Sequence, residues 1–427
     1  MSGLVWAGAA AVLALWWFDT PSVAGLADWL INAGRITGLL AGYAVIVLIA
    51  LMARIPALEH GVGTDRLARW HAMGGRYTVS LVVVHGLLIT WGYAVQANTD
   101  VVNQSAVLLL SYPNVLAATV AGLLLLGVGL ISARAARSRL RYETWFYLHF
   151  YTYLATALAF SHQFSAGADF VDNLPARVVW SILYIGVGVV LLWYRFLLPV
   201  RQALRHQLRV SHLYREGPGV VSIVVTGRHL DELAVESGQF FRWRFLTRHA
   251  WWAANPFSLS APPVADAMRL SVKDLGEHSH RLKHLRPGTR VLAEGPYGAF
   301  TAAARTRDKV LLLAAGVGIT PLRALFETLP GNVVLLYRAR SEADILFRSE
   351  LDAIAAGRGT GVHYLLGSRQ RRGADVLSPR RLAQLVPDLS ERDVYVCGPP
   401  AWTTTAVQGL RAAGVRRRQI HSESFEL

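Results

Sequence analysis

At 427 residues the chain has room for two or three domains. Its residues are 53% hydrophobic with a mean hydropathy of +0.33, yet 43 of them are Lys or Arg, a mix that points to an apolar membrane part joined to a polar part. The net charge of +15 argues for a basic membrane face rather than for nucleic acid, because the arginines cluster beside apolar runs and after the last of them. The single cysteine, Cys397, excludes an internal disulfide, an iron–sulfur cluster on four thiolates and covalently attached haem.

Apolar stretches come first, at residues 4–18, 36–52, 78–95, 115–131, 145–160 and 178–194. Most approach the roughly 17–25 residues that cross a bilayer as a helix. The first is short enough for a signal peptide, but it lacks a basic start and has only a weak cleavage site at Ser22-Val23-Ala24. The expectation is six spans. Arg54, Arg66 and Arg69 follow the second, Arg134, Arg137, Arg139 and Arg141 the fourth, and Arg195, Arg201, Arg205 and Arg209 the sixth. The other loops hold Asp19, Asp28, Asp100, Asp169 and Asp172, with Arg35 and Arg177 at helix mouths. Positive-inside reasoning places both termini in the cytoplasm.

Of 14 histidines, four fall in or beside the spans: His71 and His85 with the third, His149 and His162 with the fifth. Ionisable side chains are costly in hydrocarbon and are functional candidates by default. A lone histidine would read as a helix-to-helix hydrogen bond; two pairs at matching depth do not. His71 with His149, and His85 with His162, could each clamp one haem iron from both sides, stacking two b-type haems roughly 20 Å apart along the helices. Such haems suit outer-sphere electron transfer. Metal transport, the competing use, would prefer carboxylates, and the spans carry almost none. One detail fits poorly: on ideal helices His71 and His85 lie about 40° apart, but His149 and His162 about 140°.

After Arg209 short β-branched runs, such as residues 219–225, suggest a small β-barrel to about Arg305. From Asp308 strands and helices alternate as in an α/β domain with a parallel sheet. There, Leu311-Leu312-Leu313-Ala314-Ala315-Gly316-Val317-Gly318-Ile319-Thr320-Pro321 reads as strand, glycine turn and helix, suited to a pyrophosphate. Arg338 and Arg340 follow the second strand and Arg369 the next, where arginines could pair with a 2′-phosphate, favouring NADPH over NADH, or simply face solvent.

Further motifs appear in order: Gly238-Gln239-Phe240-Phe241, Asn255-Pro256-Phe257-Ser258-Leu259-Ser260, residues 271–279 with Gly276 and Ser279, Gly295-Pro296-Tyr297-Gly298, Cys397-Gly398-Pro399-Pro400, and the tail His421-Ser422-Glu423-Ser424-Phe425-Glu426-Leu427. Together with the histidines and the glycine turn they resemble the ferric reductase and NADPH oxidase superfamily over nearly the whole chain. The resemblance implies a membrane all-α six-helix bundle (1–204), a β-barrel FAD domain (205–305) and a Rossmann-like α/β NAD(P) domain (306–427). It implies that Pro256, Phe257 and Ser258 meet the flavin ring; Asn255 stands where the family usually has His. By the same resemblance Gly276 and Ser279 meet the FAD pyrophosphate, and Gly316, Gly318, Thr320, Pro321, Gly398 and Pro399 the nicotinamide nucleotide. Cys397 and Glu423 would lie near the reacting atoms, with Phe425 covering the flavin.

Nicotinamide gives electrons in pairs and haem accepts them singly, so FAD must stand between. The implied protein is an integral membrane oxidoreductase with its dehydrogenase part in the cytoplasm, using NADPH or NADH, FAD and two non-covalent haems. Arg54, Arg66, Arg69 and Arg76 could neutralise propionates of the inner haem or serve topology alone. Arg35, alone at an outer helix mouth, matches an arginine that NADPH oxidases place near their oxygen-reducing haem edge. Ile89, four residues after His85, stands where those oxidases carry a histidine. The acceptor is O2, giving superoxide, slightly favoured over a ferric chelate. A membrane-anchored flavin reductase without haem and a transporter bundle regulated by a nucleotide-binding domain are the rival readings.

Overall fold

The computed structural model describes residues 2–20, 22–133, 137, 139–140, 142–248, 251–367 and 377–425. Arg134, Arg141, Arg369, Glu426 and Leu427 lie outside them. Two compact units are present: Met1–Leu58 with Asp65–Arg195, and Glu59–Thr64 with Phe196–Leu427.

The first unit is helical: α1 (Ser2–Phe18), α2 (Gly25–Met52), α3 (Pro56–Val62), α4 (Thr64–Gln96), α5 (Val101–Ser111), α6 (Val115–Ser132), α7 (Tyr142–His149), α8 (Tyr151–Ala166), α9 (Ala168–Val171) and α10 (Leu174–Leu192), with the short α3 ending in the second unit. Leu87, Leu123, Leu130, Ile182 and Ile185 are each more than 60% exposed, a surface that water would penalise and lipid would not.

Among the described residues four helices are long and apolar enough to cross a membrane: Gly25–Met52, Arg66–Gln96, Val115–Ser132 and Leu174–His206. The first expected span is a shorter apolar helix, Gly3–Phe18. The fifth is in two pieces, α7 and α8, interrupted at Phe150. There the Phe150 N–H bonds the Tyr147 carbonyl at 3.1 Å and the Tyr153 N–H bonds the Phe150 carbonyl at 3.0 Å. These reach back three residues rather than four, which winds the chain more tightly. Neither Gly nor Pro marks the break; aromatic rings crowd it, with Phe146 and Phe150 centred 4.9 Å apart.

In the second unit α11 (Leu198–His206) leads into β1 (Arg209–Gly217), β2 (Val220–Thr226), β3 (Phe240–Phe245), β4 (Asn255–Ser258), β5 (Ala267–Lys273) and β6 (Val291–Tyr297), with α12 (Glu277–Leu282) between the last two. The strands form two three-stranded antiparallel sheets, β1-β2-β5 and β4-β3-β6. The expected barrel is thus two sheets, which meet through single bridges, Arg209 to Arg290 and Leu259 to Leu270. On β3, Phe241, Trp243 and Phe245 point into the shared core, the period-two pattern of a strand with one buried face.

The remainder holds β7 (Lys309–Ala315), α13 (Ile319–Thr328), β8 (Asn332–Ala339), α14 (Arg348–Arg358), β9 (Val362–Leu366), α15 (Pro379–Leu385), β10 (Asp393–Gly398), α16 (Pro400–Ala412) and β11 (Ile420–Ser424). Its five strands are parallel, in the order β11-β10-β7-β8-β9. Val310, Leu311, Leu312, Leu313 and Ala314 are all 0% exposed because helices cover both faces of the sheet. Strand order reverses between β7 and β10, and ligands of such sheets bind beyond the carboxyl ends at that point.

Candidate functional site

The four membrane histidines meet in the pairs expected from their depth. Ring centres of His71 and His149 are 5.8 Å apart, those of His85 and His162 6.5 Å. With metal–nitrogen bonds of about 2 Å, two imidazoles on opposite sides of one metal have centres roughly 6 Å apart. His71 donates Nδ1–H to the Leu48 carbonyl at 3.1 Å, and His85 donates Nδ1–H to the Gly34 carbonyl at 2.8 Å. Each bond puts the proton on Nδ1 and leaves Nε2 with the lone pair that could take a metal, the tautomer that a backbone carbonyl imposes on a ligating histidine. Leu48 and Gly34 both lie on α2, separated by the same fourteen residues as His71 and His85. Nδ1 of His149 is buried without a hydrogen-bond partner, and that of His162 approaches only the Ala159 carbonyl without a well-formed bond. Among the described residues no group of three or more His, Cys, Asp or Glu could hold a metal. The donor set is therefore imidazole pairs, which fit bis-histidine haem better than a transport site.

The close approach of His85 to α2 depends on glycines that sequence reasoning passed over. Gly34, Gly38 and Gly42 recur every fourth residue on α2, a small-residue stripe that lets helices approach closely. A Cβ on Gly38 would sit 2.6 Å from His85 Nδ1, and one on Gly42 would sit 3.0 Å from the Trp180 ring. Ile89 packs on the same stripe: a Cβ on Gly34 would lie 2.7 Å from its Cδ1. Arg66 lies over the Trp70 ring, 5.0 Å from its centre.

Arg35 is not alone, as its position had suggested. It binds Asp169 on α9 through Nη2 to Oδ1 at 2.6 Å and Nε to Oδ2 at 3.3 Å, and it gives Nη1 to Asn32 Oδ1 at 3.0 Å. Trp16 Nε1 donates to the same Asn32 oxygen at 3.0 Å. Asp169 is 4% exposed at its side chain, so the arginine's charge is matched by a buried partner. The free cation for an anionic acceptor becomes a bidentate tie between α2 and α9.

In the second unit, Asn255, Pro256, Phe257 and Ser258 form β4, held in register against Trp243, Arg242, Phe241 and Phe240. Asn255 Nδ2 and Ser258 Oγ are buried with no hydrogen-bond partner. A flavin ring, rich in carbonyl and ring-nitrogen groups, is the kind of ligand that would satisfy them, so these residues fit FAD. Ser279 Oγ is taken locally: it accepts from Leu275 N at 2.9 Å and Gly276 N at 3.1 Å, closing the turn into α12.

At the sheet's switch point Gly316 has φ +55°, and a Cβ on Gly318 would lie 2.3 Å from the Cys397 carbonyl oxygen. Only glycine lets the turn settle onto β10, which brings Gly316, Gly318, Gly398 and Pro399 together beyond the strand ends and fits a nucleotide there. Thr320 is 2% exposed and donates Oγ1 to the Val317 carbonyl at 3.0 Å, so it and the buried Pro321 shape this turn. Arg338 aligns with Ala315 at the end of β8, and Arg340 beyond it is exposed. Cys397 is 0% exposed and in register with Glu423 on β11; burial, then the Glu423 charge, push its thiol well above its ordinary range. The Phe425 N–H reaches the Gly398 carbonyl at 3.4 Å, and its ring packs on the buried core of this sheet.

Parts of the chain are similar to known proteins and families. The ferredoxin reductase component of 3-ketosteroid-9-alpha-monooxygenase from Mycolicibacterium smegmatis is 32% identical over 52% of this chain and 65% of its own length. An NADPH oxidoreductase from Mycobacterium tuberculosis is 32% identical over 41% of this chain and 48% of its own. The chain thus spans about half to two thirds of these curated relatives. The FAD/NAD-binding domain of a nitric oxide dioxygenase from Vibrio cholerae O1 biovar El Tor has 26% identity and a TM-score of 0.44, covering 52% of this chain and 99% of that one. Residues 37–160 match the family described as ferric reductase like transmembrane component, and residues 312–408 match the oxidoreductase NAD-binding domain. The chain therefore joins a ferric reductase-like transmembrane part to a following NAD-binding oxidoreductase part.

Proposed function

We propose that this protein is an NAD(P)H-dependent oxidoreductase that carries electrons across a membrane, holding FAD in its second unit and two b-type haems in its first. The carrying observation is the pair of facing imidazole couples, 5.8 and 6.5 Å between ring centres, with Nδ1 of His71 and His85 fixed by carbonyls of one helix. When bound, FAD would accept a hydride and release electrons singly, and the haems would pass them on. The chain's own part is to bind and orient. Asn255 and Ser258 would hold the flavin, the turn at Gly316 and Gly318 would hold the nucleotide, and the four histidines would hold the haems. The extent of the units is proposed as 1–204, 205–305 and 306–427, with six spans, a barrel closed at its two bridged seams, and the dehydrogenase part cytoplasmic.

A visible spectrum of the purified protein tests this. An oxidised Soret band that shifts on dithionite addition, and weakens by about half in His71→Ala or His85→Ala, is expected; its absence would leave only a flavin reductase anchored by helices.

We place O2 first as the acceptor, giving superoxide, ahead of a ferric chelate. A second reading has relatives behind it, since several are reductase components of oxygenases: electrons would pass to a protein partner. Steady oxygen consumption by the protein with only lipid, FAD and nicotinamide supports the first; strict dependence on an added protein supports the second.

A further inference from the structure

Between the sheet β1-β2-β5 and the helices α13 and α14 runs a connected set of half-buried and buried charges. Arg269 on β5 grips Glu350 on α14 with both terminal nitrogens, Nη1 to Oε1 at 2.7 Å and Nη2 to Oε2 at 2.9 Å. The same guanidinium donates to the Tyr214 hydroxyl at 2.9 Å and to the Ser260 carbonyl at 2.7 Å. It also lies over the Phe347 ring, 5.1 Å from its centre. Glu350 Oε2 meets Arg323 Nε on α13 at 2.7 Å, and Arg323 pairs in turn with Glu327. The side chains of Arg269 and Arg323 are only 11% and 10% exposed. Beneath them Ser222 donates to Glu216 at 2.6 Å, and hydroxyl contacts continue to Ser271 at 2.6 Å and from it to Ser260 at 2.8 Å.

The two ends of this set lie at the two candidate cofactor sites. Ser260 is two residues beyond Ser258, the strand residue with a buried, unpaired hydroxyl. Arg323 sits on the helix that opens directly from the Gly316–Gly318 turn. The rest of the boundary is mainly apolar, with Val220, Phe300, Leu325, Leu346 and Phe347 in one core. Apolar contact is non-directional and resists separation without fixing an angle. A bidentate arginine–carboxylate pair does fix one. Burial opposes the charge on Glu350, yet the hydrogen bonds from Arg269 and the nearby Arg323 hold its carboxyl below the ordinary range, so it stays anionic between them.

We propose that Arg269, Glu350 and Arg323 form a positioning latch that fixes the flavin strand relative to the nucleotide helix, and so the reach of hydride transfer. The inference rests on the proposed binding of FAD and NAD(P)H to these two sites. Transfer requires the reacting atoms to be held close, and a misplacement of about 1 Å can cost on the order of a hundredfold.

The test uses full-length, cofactor-loaded protein with Glu350→Gln, which keeps volume and one acceptor oxygen, and Glu350→Ala. Flavin content should be retained. The limiting rate of flavin reduction at saturating NAD(P)H should fall about tenfold in the Gln variant and further in the Ala variant, with half-saturation within about twofold of wild type. Amide exchange should quicken together at residues 260–269 and 347–351. A lower melting temperature with an unchanged limiting rate would reduce the set to a stabiliser and overturn the proposal. Should the Ala variant lose its flavin, the Gln variant decides. If NAD(P)H fails to reduce the wild-type flavin, the functional reading falls instead, and unaltered exchange in either segment of the Gln variant would still reject the latch.

Discussion

Gly38 has no side chain, and His85 depends on that. A Cβ there would lie 2.6 Å from His85 Nδ1 and 2.7 Å from its Cε1, closer than side chains approach one another. A valine at position 38 would have to push the imidazole off the Gly34 carbonyl. Gly38→Val is therefore expected to lower haem content from about two per chain to about one while sparing the His71 pair, as read by haem extraction and a redox titration. Two haems retained at wild-type potentials would contradict it. Ser258 supports a second prediction of opposite sign in two states. Its hydroxyl is buried and unpaired, and such a group costs about 1–3 kcal/mol. Ser258→Ala should leave the flavin-free protein as stable or more so, yet weaken FAD binding roughly five- to a hundredfold, measured by melting with and without FAD and by flavin titration. At this scale the histidines and glycine turns were legible because each is a distinctive letter with a narrow chemical use. The Leu48 and Gly34 carbonyls were not, because main-chain groups carry no letter. Arg35 was misread because Asp169, its partner, lies 134 residues away in sequence.

The interruption at Phe150 explains how two histidines thirteen residues apart both face α4. On an unbroken helix they would point about 140° apart. The three-back hydrogen bonds of Phe150 and Tyr153 add rotation, about 120° per residue rather than about 100°, in the direction that closes this difference, and the break between α7 and α8 supplies the rest. The mismatch was visible from spacing alone, but its location was not, since the break carries neither Gly nor Pro. Inserting one alanine after Phe150 would rotate His162 by about 100° relative to His149. The expected outcome is loss of the outer haem, the one between His85 and His162, with the inner haem retained. Retention of both haems at unaltered potentials would show that the histidine positions tolerate helix rotation. Pattern reading of this kind did well where a continuous apolar run ends in a glycine turn, as on β7, and poorly where aromatic crowding, rather than a breaker residue, ends an element.

Across the whole molecule, the arginines after the apolar runs and the order of the two units suggest a direction of flow. Arg54, Arg66 and Arg69 follow α2, and Arg195, Arg201 and Arg205 close the last long apolar helix just where the second unit begins. Under the positive-inside topology proposed above, these ends would share the cytoplasmic side with His71 and His149, and that pair would be the first to receive electrons. The two couples should then fail differently. In His149→Ala, NAD(P)H should still reduce the flavin at the wild-type rate, yet the remaining haem should stay oxidised until dithionite is added. In His162→Ala, the remaining haem should be reduced by NAD(P)H as in wild type, while delivery to an external acceptor stops. Rapid-mixing absorbance at flavin and Soret wavelengths separates the two cases. If the haem left in His149→Ala is reduced by NAD(P)H at an undiminished rate, electrons reach the outer couple without passing the inner one, and the series order along α4 is wrong.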